Sequence, residues 1–394
     1  MDFTYLKEFM DLMARERTPG CAAQIYVGGN RVFRYEAGYA SLEDNTTLTG
    51  TEHFNIYSCS KITTCTAGAQ LLERGKFLLT DPLYDYIPEF RHMAIKQPDG
   101  SLTDAKKPIT IGDLFSMTAG FTYDTSTPAF EKARQLTDGK MDTLTVIRCL
   151  AEEPLAFEPG EKWQYSLCHD VLAGLVEVVS GMKFRDYVDA NIFEPLGMTR
   201  TVYHHTPAIV NNMAQQYRFV ADGEDTANFN LVEAQKHGNA TSGTFINVGK
   251  NRNHVFGPEY DSGGAGITTT VSDYIKVLAA LANNGMGLTG ERILSPNTVE
   301  LMKTNRLTEQ QRAYMTWKQL AGYGYGLGVR TFIDKTIGHT CNIGEFGWGG
   351  AAGATAMMDT KENLAVFFVQ HTLNPREEWY MPRLRNIVYT CLGR

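Results

Sequence analysis

The chain has 394 residues, 43% hydrophobic and 21% charged, a balance that excludes disordered, collagen-like and low-complexity architectures. At roughly 100–200 residues per domain, the length allows about two or three domains, or one core with a large insertion. The 37 Lys+Arg against 44 Asp+Glu give a formal net charge of −7 with no basic run, which argues against nucleic acid as a partner.

The N-terminal stretch MDFTYLKEFMDLMARERTPG has neither the basic nor the apolar region of a signal peptide. It reads as an amphipathic helix with Phe3, Leu6, Phe9, Met10 and Met13 on one face. CAAQIYVGG and RVFRYEAGYA follow as two strands joined by a turn at Gly28-Gly29-Asn30, the clearest hairpin in the chain. The period then changes: Ile62, Cys65, Ala69 and Leu72 fall three and four apart, on one helical face, with Gly75 near the C-terminus of that helix.

From about residue 80 to 255, helical segments alternate with Pro- and Gly-marked turns. The best helix there runs from Asp170 to Val179 and ends at Ser180-Gly181. SDYIKVLAALANN is helical again. YGYGLGVRTFI, AAGATAMMDT and LAVFFVQHT are strand-like, and a closing helix is expected near Met381–Leu392. Early and late strands with helices between predict an α+β fold: one antiparallel sheet from residues 1–80 and 260–394, with a mostly helical insertion over 81–259.

The seven cysteines (Cys21, Cys59, Cys65, Cys149, Cys168, Cys341 and Cys391) form no CxxC and no dense cluster. That usage fits a reducing cytoplasm better than a disulfide framework. No apolar run approaches the ~18 residues that would span a membrane.

Familiar chemical motifs are absent: no GxSxG, no GxxxxGK[ST] and no HExxH. His204-His205 is the only adjacent histidine pair, so neither a metal nor a cofactor is expected. Ser-x-x-Lys occurs twice. Ser58-Cys59-Ser60-Lys61 opens a predicted helix, where a spacing of three puts hydroxyl and amine on one face. A serine is a weak nucleophile until a neighbouring base takes its proton, and a helix N-terminus favours the developing negative charge. Ser180-Gly181-Met182-Lys183 crosses a helix end, where Gly181 reads as a C-cap.

The segment FNIYSCSKITTCTAGAQLLERGKFLLTDPLYDYIPEF resembles the nucleophile segment of the serine β-lactamase and penicillin-binding protein superfamily, specifically its class C branch. PGCAAQIYVGGNRVFRYEAGYA, PITIGDLFSMTAGFTY, FEPGEKWQYSLCHDVLAGLVEVVSG, FEPLGMTRT, DSGGAGITTTVSDY and EFGWGGAAGATAMMD are similar to further segments of that family, in its order. The resemblance implies a β-lactamase-like fold with a cleft between the sheet and the helical insertion. It also implies Ser58 as nucleophile, Lys61 and Tyr165 as its proton-handling partners, and an oxyanion hole at the backbone N–H groups of Ser58 and Ala351. Trp348, Gly349 and Gly350 occupy the place of the usual Lys-Thr-Gly or His-x-Gly, where they would contact substrate; Lys335-Thr336-Ile337-Gly338 precedes that place.

Two departures shape the functional expectation. Leu167 stands where the class C Tyr-x-Asn has its asparagine, and Trp348-Gly349 replaces the Lys-Thr pair that grips a β-lactam carboxylate. An indole has one N–H donor and no charge. The resemblance therefore points to the family VIII carboxylesterases and a small-molecule ester as substrate. An acyltransferase using an alcohol acceptor stands second and β-lactam or D-Ala-peptide hydrolysis third. A non-catalytic binding protein is disfavoured by the presence of Ser58, Lys61 and Tyr165. Cys59 is expected to be a packed side chain, and Asp170 a helix cap.

Overall fold

A computed structural model of the chain describes residues 1–224, 240, 242–250 and 255–393. The five longest helices among them are α1 (Thr4–Glu16), α2 (Ser60–Glu73), α3 (Cys168–Ser180), α4 (Val271–Ala282) and α5 (Glu377–Cys391). The strands of the main sheet are β1 (Gly20–Val27), β2 (Asn30–Ser41), β3 (Thr46–Thr47), β4 (Tyr323–Tyr325), β5 (Arg330–Phe332), β6 (Phe346–Gly349), β7 (Thr355–Asp359) and β8 (Leu364–Gln370). They lie in the order β4-β5-β6-β7-β8-β1-β2-β3, every neighbouring pair antiparallel. The fold is α+β and β-lactamase-like, with the sheet drawn from both ends of the chain.

Alternation along β8 explains its position. Leu364, Val366 and Phe368 point into one core with Leu6, Met10, Met13, Leu384 and Val388 of α1 and α5. Ala365, Phe367 and Val369 point into the other, with Ile62 of α2 and Leu278 of α4. A strand covered on both faces must be apolar at every position, which is why LAVFFVQ reads as an unbroken apolar run. At the hairpin, Gly28 and Gly29 take φ 57° and 77°, the left-handed geometry a tight two-residue turn requires.

Three elements differ from the sequence-based expectation. The helix carrying Lys61 is buried all round from Ser60 to Leu71 rather than on one face, because the sheet and α3 enclose it. YGYGLGVRTFI is two short strands, β4 and β5, with a turn between them at Gly328 (φ 77°). The closing helix begins at Glu377, before Pro382. The hydrogen bond that Pro382 cannot donate is outweighed by burial of Tyr380, Met381 and Leu384. In addition, Gln216–Ala221 and Gly243–Gly249, within the stretch expected to be helical, pair antiparallel, and Thr372–Leu373 from the later stretch pairs parallel with the first of them. No helix among the described residues is long and apolar enough to cross a membrane. All seven cysteines are free and buried.

Candidate active site

Ser58 lies in a single tight turn, Tyr57–Cys59, that runs directly into α2. Tyr57 takes φ 44°, a conformation that costs a non-glycine residue about 1–3 kcal/mol and must be held by its surroundings. One holding contact is its hydroxyl, which donates to Gln216 Oε1 at 2.9 Å. Ser58 is half-buried, whereas Lys61, one turn further on, is fully buried. The three N–H donors of an ammonium match three acceptors at Lys61 Nζ: Ser58 Oγ at 3.4 Å, Tyr123 Oη at 3.4 Å and the Gly264 carbonyl at 2.7 Å.

Tyr165 lies just before α3, and Lys61 Nζ stands 4.6 Å from its ring centroid. Its hydroxyl is buried and forms no hydrogen bond among the described residues. Tyr123 stacks on it, centroids 5.4 Å apart and planes 8° from parallel. Burial by itself would push the Lys61 ammonium down. Tyr123, Tyr165 and the Asp170 carboxylate outweigh that and hold it above its ordinary value. Burial pushes the Tyr123 phenol up despite Lys61, so Tyr123 keeps its proton.

Asp170 does not cap α3: the cap position is Leu167, and no side chain caps it. The Asp170 carboxylate is 1% exposed, and its Oδ1 accepts from Tyr260 Oη at 2.9 Å, Ser262 Oγ at 2.8 Å and Gly264 N at 3.3 Å. Its Oδ2 has no hydrogen-bond partner among the described residues. A side chain on Gly264 would begin 2.4 Å from that oxygen and 3.2 Å from Lys61 Nζ, so the absence of one lets ammonium and carboxylate share the gap. His169 turns away, to Cys65 Sγ at 3.5 Å and the Phe115 carbonyl at 3.2 Å, and burial lowers its imidazole to about 3.

The end of β6 closes the site from the sheet side. A Cβ on Gly350 would meet the Ile56 carbonyl at 2.1 Å, so only glycine lets this strand end approach the Ser58 turn. Gly350 N is bonded to the Ala354 carbonyl at 2.8 Å. The N–H groups of Ser58 and Ala351 donate no backbone hydrogen bond among the described residues. Two such donors are what an oxyanion hole requires. β7 pairs with β6 along its whole length, but β5 pairs only with Phe346 and Gly347, leaving the edge of Trp348-Gly349 without a strand partner.

Trp348 itself is 3% exposed, its indole covered by Tyr165 (5.7 Å), Tyr325 (5.2 Å) and Trp317 (6.3 Å). Contact with a ligand at this residue therefore falls to its backbone, not to the indole face. Half-buried Trp317 supplies the open aromatic surface, 5.1 Å from the Tyr165 ring.

Ser58, Lys61 and Tyr165 thus come together from two distant segments, with Gly350 and Ala351 beside them. Cys59 is 0% exposed with its thiol pushed up by burial, which makes it inert. Lys183 of the second Ser-x-x-Lys is exposed beyond the left-handed Gly181, and Ser180 Oγ accepts from Met182 N. His204 and His205 hold separate partners, Asp261 and Thr268. Sequence reasoning missed Tyr123, Trp317 and the charge role of Asp170. The available signal was Tyr123 at the end of GFTY and the paired glycines 263 and 264, which mark a close approach.

The Beta-lactamase family profile matches residues 6–389. Among curated proteins, the chain is 26% identical to Esterase EstB of Burkholderia gladioli, over 92% of this chain and 88% of that protein. It is 24% identical to Acyltransferase calJ of Penicillium decumbens, over 86% and 81%. Among solved structures, EstCE1, a hydrolase with promiscuous acyltransferase activity, superposes with a TM-score of 0.76 at 25% identity, covering 98% of this chain and 97% of that one.

Proposed function

Because this chain belongs to the beta-lactamase family, we propose that it is a serine hydrolase that cleaves small carboxylic esters through an acyl-enzyme on Ser58. The observation that carries this reading is Lys61 Nζ, fully buried and within 3.4 Å of Ser58 Oγ, held among Tyr123, Tyr165 and Asp170. A lysine held as an ammonium cannot accept the serine proton; the oxygen of Tyr165, acting as a phenolate beside that cation, is the acceptor at hand.

Ser58 Oγ attacks the ester carbonyl carbon as its proton passes to Tyr165 Oη. The N–H groups of Ser58 and Ala351 receive the carbonyl oxygen as its negative charge develops. Collapse breaks the bond to the alcohol, which takes the proton back from Tyr165. Water then attacks the acyl carbon, Tyr165 again accepting and returning a proton, and the carboxylic acid leaves Ser58 restored. No step calls on a metal or organic cofactor.

The esterase branch is favoured over β-lactam hydrolysis because Trp348 and Gly349 themselves supply no cation to meet a carboxylate. Loss of one charge-assisted contact of roughly 1.5–3 kcal/mol is about ten- to a hundred-fold in binding. We expect kcat/KM for p-nitrophenyl butyrate to exceed that for nitrocefin by at least about tenfold. A preference for nitrocefin would refute the esterase assignment. The names of calJ and EstCE1 favour one second reading, acyl transfer to an alcohol. Product analysis with a competing alcohol separates the two: a new ester as the main product in water would make the protein a transferase.

Asp170 provides a further test. Replacing its carboxylate by the isosteric amide in Asp170→Asn removes the buried counter-charge of Lys61 while keeping the shape. Lys61 is held above its ordinary value, near 10.5, so its ammonium is complete at neutral pH and is lost only as pH rises through that raised value. Without Asp170 that loss moves to lower pH. We expect kcat/KM to fall about ten- to a hundred-fold, at ~1.4 kcal/mol per decade, with the alkaline fall of activity shifted downward. An unshifted alkaline limb would mean that Asp170 is not the counter-charge.

A further inference from the structure

Beside the open edge of β6 stands an acid that the reaction above does not use. Glu377 is the first residue of α5, half-buried, with Oε1 3.3 Å from the point where a Gly349 side chain would begin. The missing side chain at Gly349 leaves that space open. Glu377 Oε2 accepts from Gln319 Nε2 at 2.9 Å, and Gln319 lies two residues beyond Trp317 of the aromatic wall. The carboxylate therefore stands beside the end of β6 that approaches the Ser58 turn, and the amide that holds it closely follows Trp317 in the chain.

No ion pair forms at Glu377 among the described residues. The nearby cation, Arg330, is fully buried and bound to Glu345 at 3.1 Å. Burial, with Glu378 beside it, pushes the Glu377 carboxyl up to about 7, against the pull of Gln319 and Arg330. An acid serving only the N-terminal dipole of α5 would do so equally well in water, as its neighbour Glu378 can. A partly desolvated carboxylate without a cation is instead a site that a cationic hydrogen-bond donor would complete.

We propose that Glu377 and Gln319 form a substrate subsite that selects esters bearing an ammonium group and rejects esters bearing a carboxylate. The inference rests on the ester-cleaving reading and inverts the charge preference that a Lys-Thr pair at 348–349 would impose.

The test uses two ester series in the intact protein. In one, butyrate is esterified to alcohols ending in ammonium, methyl or carboxylate; in the other, p-nitrophenyl esters carry those groups at the end of the acyl chain. The ratio of kcat/KM for the ammonium over the carboxylate ester should be about tenfold or more in at least one series, because a charge-assisted contact is gained in one case and repulsion in the other. The responsive series locates the subsite on the alcohol or the acyl side. Glu377→Gln should collapse that ratio towards one and Glu377→Lys should reverse it, which a folding defect would not do. A wild-type ratio near one in both series, or a ratio unchanged in Glu377→Gln, would overturn the subsite. Failure of the wild-type protein to cleave even the methyl-ended esters would instead sink the hydrolase reading beneath it.

Discussion

Ser58→Ala is expected to abolish ester turnover, by on the order of 10⁵-fold or more in kcat, as loss of the nucleophile does in serine hydrolases of other folds. The same substitution should remove covalent labelling by a fluorophosphonate probe, and peptide mapping of the labelled wild type should place the adduct on Ser58. Nothing in the packing confounds the result. Ser58 is half-buried, and its side chain receives one long contact from Lys61, so deleting the oxygen leaves no large cavity. Stability should therefore change by no more than about 1 kcal/mol, the net value of a typical hydrogen bond. An adduct on Ser180 or Cys59, or labelling that survives Ser58→Ala, would sink the assignment. The geometry argues against both alternatives. Lys183 is exposed beyond a helix end, and Cys59 is buried with its thiol held in the protonated form.

The second large effect concerns Tyr165 and Lys61 as one unit. Tyr165→Phe should lower kcat/KM by about 10²–10⁴-fold, the usual worth of a positioned proton acceptor. Its stability should fall by no more than about 1–3 kcal/mol, because the change removes one of the groups that offset the burial of the Lys61 ammonium while Asp170 and the Gly264 carbonyl remain. Lys61→Met should cost activity comparably, and also stability by about 3–5 kcal/mol, because it leaves Asp170 as an uncompensated buried charge. Kinetics of the double variant should match those of the worse single one, since two groups passing the same proton are strongly non-additive. Near-normal activity in Tyr165→Phe would assign the base elsewhere, and Tyr123→Phe would then be the variant to compare. Multiplying single effects in the double variant would mean that the two residues act independently.

The first local elements of this chain were legible from residue order alone, because their causes are local. Alternation and a Gly-Gly turn are enough for the β1–β2 hairpin, and threefold and fourfold spacing is enough for α1, whose apolar face is the buried one. The assignment of Ser58, Lys61 and Tyr165 to one site drew on the ordered resemblance of seven segments, which spans the chain as the family profile does. Trp348 marks the limit of such reading. Its position along β6 was legible, but whether its indole meets solvent depended on Tyr165, Trp317 and Tyr325, which arrive from other segments and cover it.

Charge environments were decided only by tertiary structure. Asp170 near a helix start is, as sequence, a cap; the turn at Gly263-Gly264 makes it a buried partner of Lys61. Glu377 lay outside the helix expected near Met381–Leu392, and it is 319 residues from Ser58 along the chain. Hydrophobic period reports which face of an element is buried, since that depends on neighbours three or four residues away. Electrostatic interaction depends instead on distance and on exclusion of water, both fixed by segments far apart in sequence. For this protein, residue order indicated the hairpin, the first helix and the candidate reacting groups, and the packing of distant segments decided which charges those groups would feel.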